Sequence, residues 1–344
     1  MKIKTLMAVA QNQIEWVYTE RLALGANEVR IRNRFGTEKH GTMTAIVQGY
    51  GDHRGQMNEE LGLYFGTGVA WQYPISLGNM NYGNVIETGS DVQNIPVGSQ
   101  VAVSGSFQLE TVARTEDCFP CPEGLDWRTA FLQDPAEFAM GAIRDGNVRI
   151  GDQVAVFSLG SIGLTTIQLL KAAGAERVVG IDPIAARREA ALACGADSVL
   201  GADPEDLGWQ IRQLTRREGI DVVIDFSGAV PAMQAAFRAL APLGTLVLGA
   251  YPNEKTATLD FGRESHHNQI TIVFTRACSH PNRDHPRWDW HRIRRASWDL
   301  IVRGKLDGRP ILDDPIPFDD LLDHYPRGLD PQSTSIKLTV AYPE

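Results

Sequence analysis

The residues whose spacing most clearly implies chemistry lie between Gln153 and Asp182. Gln153 to Phe157 is a run of apolar and β-branched residues with the composition of a buried strand. Ser158-Leu159-Gly160-Ser161-Ile162-Gly163 follows as a tight turn. An apolar stripe through Ile162, Ile167, Leu169 and Leu170 then runs at helical spacing until Gly174, and Arg177 to Ile181 reads as a second strand ending on Asp182. Strand, glycine turn, helix, strand and acid in this order make a dinucleotide site. Gly160 admits a pyrophosphate to the backbone and Gly163 lets the helix pack closely on the strand. Ser158, Gly160, Ser161 and Ile162 are the candidate phosphate-binding residues, because a helix N-terminus offers unpaired N–H groups and partial positive charge. Asp182 lies 22 residues after Gly160, where a carboxylate accepts both hydroxyls of an adenosine ribose. One position departs from G-x-G-x-x-G: Ser158 replaces its first glycine. A carboxylate at 182 repels a 2′-phosphate and no Arg follows at once, which favours NAD over NADP. Arg187 and Arg188 fall on the next helix, as a solvated face or as a lid over adenine.

Those residues need elements to hold them. From about residue 138 the pattern alternates helix and strand, with strands expected at 153–157, 177–182, 197–200, 221–225, 244–249 and 269–275. Six strands with helical crossovers predict an α/β fold with a doubly wound parallel sheet. Ligands of such sheets sit at the C-terminal ends of the strands. That adds Ser227 on the adenosine side, and Gly249, Ala250, Tyr251, Thr275 and Arg276 around the nicotinamide. Residues 1 to about 135 read instead as short strands between turns: Glu28-Val-Arg-Ile-Arg-Asn alternates, and Gly83-Asn-Val-Ile-Glu and Ser99-Gln-Val-Ala-Val-Ser lie between glycine turns. After about residue 303 the chain is short, and strand-like Ile336–Val340 returns to the first domain.

The 344 residues suffice for two domains, and 43% apolar content is that of a globular protein. A net charge of −9 points away from nucleic acid and anionic membranes as partners. No stretch reaches the roughly 18 apolar residues of a membrane span, and MKIKTLMAVA is too soon polar for a signal peptide, so a cytoplasmic location is expected. Among four cysteines, Cys118 and Cys121 have the spacing of a zinc knuckle or redox pair. The second pair of a knuckle is missing, and Pro120 with Pro122-Glu-Gly predicts a surface turn there.

The chain resembles the medium-chain dehydrogenase/reductases, the superfamily of the zinc-type alcohol dehydrogenases. The resemblance is carried by Glu28-Val-Arg-Ile-Arg, His40-Gly41-Thr42, Pro74-Ile-Ser-Leu-Gly78, Gly83-Asn-Val-Ile-Glu-Thr-Gly89, Gly98-Ser-Gln-Val-Ala-Val and the nucleotide segment. It implies a GroES-like, mainly β barrel-like catalytic domain at 1–137, a Rossmann NAD-binding domain at 138–302 and a C-terminal return at 303–344. It also implies a homodimer or tetramer, with Phe274 and its neighbours pairing between subunits. The zinc motifs, however, are altered at every point. His40 stands where C-G-T-D has its cysteine, Gly78-Asn79-Met80 replaces G-H-E, and Asp134-Pro135, 24 residues before Ser158, replaces E-P. The cysteine-rich structural-zinc lobe is missing. Tetrahedral zinc wants three firm ligands plus water, and Asn79 is a poor third. Within the superfamily the chain looks similar to a zinc-free branch that includes bacteriochlorophyllide dehydrogenase, through the Gly-Thr after a non-cysteine residue and through Pro286-Arg-Trp-Asp289.

This resemblance implies a mechanism without metal. His40 and Asp134 replace two ligands, so they are expected to pair, with His40 taking the substrate proton and Asp134 fixing its tautomer. Asn79 would donate its amide to the substrate oxygen. Tyr82, Lys39 and Glu137 stand in reserve. Each also has a structural reading: His40 as a solvated residue, Asp134 as a turn or helix cap, Asn79 as a turn residue. His266, His267 and the tryptophans at 288, 290 and 298 read as structural. The expected function is NAD-dependent, zinc-independent oxidation of a polar secondary alcohol of sugar, polyol or cyclitol type. The polar set His40, Thr42, Asn79, Asn81, Tyr82 and Asp134 motivates that substrate. The alternatives are an enoyl or quinone reductase and a non-catalytic NAD(H)-binding protein.

Overall fold

The structure, a computed structural model, describes residues 2–50, 55–58, 60–66, 68, 71–202, 206–250, 258–276, 286–328, 330 and 333–343. The chain folds into two compact units, Met1–Phe131 with Leu312–Glu344, and Leu132–Ile311.

The second unit is built on a six-stranded parallel sheet. Its spatial order is Ser198–Leu200, Arg177–Ile181, Gln153–Phe157, Ile220–Asp225, Leu240–Leu248 and Thr271–Phe274. Val154, Ala155 and Val156 of the central strand are all fully buried. Cover on both faces is why this strand reads as an unbroken apolar run rather than an alternation. The helix Ser161–Ala173 ends where the pattern places its stop. Gly174 takes the left-handed conformation (φ 89°) and its N–H reaches the carbonyls of Leu170 and Lys171.

Both boundaries of this unit differ from the expected 138 and 302. The helix Gln133–Asp145 is continuous and packs on Ser161–Ala173, with Pro135, Ala136 and Glu137 buried, so a cut at 137 would divide it. At the other end Gln168 exchanges two hydrogen bonds with the backbone of Asp307 (2.9 and 2.7 Å). These bonds hold the segment after the helix Trp290–Val302 in the second unit.

The first unit has a sheet ordered Cys118–Pro120, Gln100–Ser104, Met80–Thr88, Glu28–Thr37, Thr339–Ala341 and Ile316–Pro317, with Glu110–Arg114 also paired to Glu28–Thr37. A three-stranded sheet joins Gln13–Glu20, Lys2–Ala10 and Ile75–Ser76. The returning tail lies antiparallel to Glu28–Thr37, with Thr339 opposite Thr37. A buried polar network fixes it there: the Tyr342 hydroxyl donates to Asn81 Oδ1 (2.8 Å), and Asn81 Nδ2 donates to Ser106 O (2.9 Å). The helix His40–Gln48 was not expected; it buries Met43, Ile46 and Val47 and is capped by Gly49 in the left-handed region (φ 71°). The fold is therefore α/β, a Rossmann-type sheet plus a GroES-like, mainly β unit. Among the described residues no helix is long and apolar enough to cross a membrane.

Candidate functional site

The nucleotide turn meets its conformational demands unevenly. Ser158 adopts φ 72°, the left-handed region that glycine would occupy without strain. A Cβ on Gly163 would lie 2.1 Å from the Ser158 carbonyl oxygen, so only glycine fits that close approach. Gly160 differs from both. Its backbone is extended (φ −73°, ψ −174°), and a Cβ there would meet nothing within 4 Å. The fold does not require a glycine at 160, and the space beside it stays open at a helix N-terminus with no side-chain cap. That is the provision a pyrophosphate needs.

Asp182 is 2% exposed and holds this turn together. Its Oδ2 accepts the Leu159 N–H (2.8 Å) and its Oδ1 the Ile184 N–H (2.9 Å). This clamp is additional to any ribose contact. Arg188 departs from the solvated-face reading: its guanidinium donates to the carbonyls of Asp182 and Pro183, both at 2.7 Å. Arg187 lies on the helix Ala185–Ala193.

The remaining cofactor candidates follow the strand ends. Asp225 Oδ1 accepts both the Ser227 N–H (2.8 Å) and the Ser227 hydroxyl (2.6 Å), while burial pushes the Asp225 carboxyl up. The Gly249 N–H bonds to Asp225 O (2.8 Å), and a Cβ at 249 would lie 2.6 Å from the Phe226 ring. Ala250 follows directly, and Tyr251 lies outside the described residues. Thr275 donates its hydroxyl to Asp145 Oδ2 (2.6 Å) and its N–H to Leu248 O (3.0 Å).

In the first unit, His40 opens the helix His40–Gln48 with its side chain 31% exposed. Its Nδ1 lies 3.5 Å from Oε1 of Glu38, whose side chain is 1% exposed. Both Glu38 carboxylate oxygens are buried without a hydrogen-bond partner. The Lys337 ammonium, itself 2% exposed as a residue, donates to the Glu38 carbonyl (2.6 Å), and the Thr37 hydroxyl donates to Leu338 O (2.8 Å). The tail thus fixes the backbone that carries Glu38 and His40. Asn79 lies alongside: its N–H bonds to Thr37 O (2.8 Å), and its side-chain Nδ2 is buried without a partner. An unpaired amide donor is what a substrate oxygen would require.

Asp134 belongs to the second unit, in the first turn of the helix Gln133–Asp145. Glu38 was not among the sequence candidates. Its signal, an acid two residues before His40, is too common to single out. Other candidates have structural roles. Asn81 is fully buried in the network that holds the tail, and Tyr82 is 5% exposed against Phe35. Glu137 accepts from Trp290 Nε1 (2.7 Å) and Gln133 Nε2 (2.8 Å), joining two helices. Trp288 packs against the guanidinium groups of Arg144 and Arg292.

The expected turn lies at Pro122–Leu125, closed by the Leu125 N–H on the Pro122 carbonyl (3.1 Å), and Cys118–Pro120 before it is a short edge strand paired with Val101–Val103. Proline is tolerated there because an edge strand leaves one N–H side unpaired. Burial pushes the Cys121 thiol up to about 12, so the free side chain is held as the neutral thiol. Among the described residues, no group of three or more His, Cys, Asp or Glu side chains could hold a metal ion. His40 with an amide at 79 is a poor donor set for tetrahedral zinc.

The strand, glycine turn and helix together have the form of a dinucleotide-binding turn. Residues 161–291 match the family model described as zinc-binding dehydrogenase. The chain is 38% identical to a D-guloside 3-dehydrogenase of Escherichia coli K12, covering 99% of this chain and 100% of that protein. Among solved structures, a short chain alcohol dehydrogenase of E. coli CFT073 complexed with NADH matches with TM-score 0.78 at 18% identity, over 99% of each chain. A zinc-binding dehydrogenase of Sinorhizobium meliloti 1021 bound to NADP matches with TM-score 0.78 at 16% identity, over 99% of each. The chain belongs to the zinc-binding dehydrogenase family of the medium-chain dehydrogenase/reductase superfamily. It is a dehydrogenase, an oxidoreductase acting on CH–OH groups.

Proposed function

We propose that the chain is an NAD-dependent, zinc-independent dehydrogenase that oxidises a secondary ring hydroxyl of a sugar or glycoside to a ketone. The observation that carries the substrate class is the full-length likeness to a D-guloside 3-dehydrogenase. Ser158, Gly160, Ser161 and Ile162 would hold the pyrophosphate, and Asp182 the adenosine ribose, with Ser227, Gly249, Ala250 and Thr275 further along the strand ends. The carboxylate at 182 supports NAD over NADP, because a 2′-phosphate would meet its charge.

A bound nicotinamide would supply the oxidant, accepting the carbinol hydrogen with its electron pair. His40 Nε2 takes the hydroxyl proton as the carbonyl forms, so the alcohol loses two electrons and two hydrogens. Asn79 Nδ2 donates to the oxygen on which charge develops, the task a metal performs elsewhere. The altered donor set at 40, 78–80 and 134 supports zinc independence. The exposed Phe274 on the edge strand Thr271–Phe274 supports a dimer through that edge.

The test is an NAD-reduction screen over glycosides, sugars, polyols and cyclitols on protein stripped with a chelator. The expected result is turnover on a hexoside with no metal requirement. Turnover restored only by added zinc would remove the His40 scheme, and reduction of enones alone would replace the substrate class.

A further inference from the structure

We infer that Glu38 is the positioning residue for His40: it holds the imidazole with Nδ1 protonated, leaving Nε2 as the proton acceptor. This rests on the reading of His40 as the base, and it gives Glu38 the role expected of Asp134. The geometry comes from one continuous segment. Glu38 and His40 are two residues apart at the junction of the strand Glu28–Thr37 and the helix His40–Gln48. The junction is fixed from the tail by Lys337 on the Glu38 carbonyl and by Leu338 on Thr37. The backbone therefore cannot swing Glu38 away from the ring without breaking buried bonds.

The electrostatics lead to the same assignment. A carboxylate 1% exposed with neither oxygen closely hydrogen-bonded is costly unless a donor can move onto it. Three groups face it. The Tyr325 hydroxyl, itself buried, faces the carboxylate as a donor, and burial together with the Glu38 charge holds its proton on. Asp313 adds like charge from the returning segment. His40 Nδ1, at 3.5 Å, is the ring nitrogen within reach. An imidazole N–H turned toward Glu38 relieves the carboxylate and selects the tautomer, because the partner of one ring nitrogen decides the state of the other. Catalytic bonds of this kind are often long in the ligand-free protein and tighten when substrate binds. Glu38 also opposes the positive charge that His40 gains with the proton.

The test combines spectroscopy on the ligand-free protein with kinetics. In ¹⁵N-histidine spectra, with His40 assigned by its loss in H40Q, the neutral ring is expected as the Nδ1–H tautomer. An Nε2–H tautomer would overturn the proposal without any variant of Glu38. E38Q keeps the shape and removes the charge. It is expected to lower kcat about 10- to 100-fold, with KM for substrate and Kd for NADH within about two-fold of wild type. Unchanged kcat in E38Q alongside a large fall in D134N would give the role back to Asp134 and overturn the proposal, while the His40 base would stand. Full turnover in H40Q would overturn both.

Discussion

Two glycines three residues apart should fail in opposite ways when each is replaced by alanine. At Gly163 the added Cβ would sit 2.1 Å from the Ser158 carbonyl oxygen, against the 3.4–4 Å of ordinary contact. The turn would have to move by more than ~1 Å, and the obstacle is backbone, which cannot rotate away. Overpacking of this kind costs about 1–3 kcal/mol, and the rigid partner puts G163A at the upper end. For a unit of this size about 2–3 kcal/mol lowers Tm by roughly 4–12 °C.

At Gly160 the Cβ meets nothing within 4 Å and the backbone is extended. G160A should therefore leave the ligand-free protein as stable as wild type, or more stable by up to about 1 kcal/mol. The same methyl fills the space beside the helix N-terminus. NADH affinity in G160A should fall at least 10-fold, about 1.4 kcal/mol or more. Thermal unfolding without cofactor and NADH titration by fluorescence separate the two effects. If G160A binds NADH as wild type does, the open space at 160 is not the pyrophosphate site. If G163A unfolds at the wild-type temperature, the close approach to Ser158 carries no energy.

Three further outcomes follow from the same geometry. Replacing Ser158, held at φ 72°, by glycine removes a left-handed cost of about 1–2 kcal/mol and adds about 0.5–1 kcal/mol of chain entropy, so S158G should gain roughly 0.5–1 kcal/mol in thermal unfolding; a loss would contradict the strain. Burial raises the Asp225 carboxyl, so the folded protein holds its proton to higher pH than the unfolded chain does. Stability should then fall as pH rises from about 4 through that raised value, by up to about 1.4 kcal/mol per unit, and D225N should remove the slope; denaturant curves with the same slope in both proteins would refute this. Burial also holds the Cys121 thiol near about 12 and the Cys194 thiol near about 11. In a C118S/C278S background both should react with Ellman's reagent at pH 8 at least about 100-fold more slowly than after unfolding, and fast labelling of the native protein would count against their burial.

The second unit was legible because each of its features has a local cause. The strand Gln153–Phe157 begins and ends where its apolar run does, and Gly174 stops the helix by the left-handed cap that only glycine adopts cheaply. Its boundaries were harder to read. The alternating pattern reads from about 138, yet the helix already begins at Gln133, where a proline in the first turn loses no intrahelical bond. In the first unit the helix His40–Gln48 had a readable signal, Met43, Ile46 and Val47 at helical spacing before Gly49, but it is short and lies among strands.

Glu38 was not legible at all, for a physical reason. What sets it apart is not its type or its distance from His40 along the chain, but its burial, which is imposed by residues about 300 positions away: Lys337 reaches its carbonyl and the Tyr325 hydroxyl faces its carboxylate. A carboxylate two residues before a histidine in an exposed loop would be solvated and free to rotate, and it would select no tautomer. The same pair with its backbone pinned from the tail and its carboxylate buried holds the imidazole against a fixed acid, with the Tyr325 hydroxyl on that acid as well. The chemistry proposed for His40 therefore depends on the closing of the chain on itself. Truncation before Lys337 should abolish turnover while leaving NADH binding by the second unit intact, and a truncated protein that still turns over would show that the pinning is dispensable.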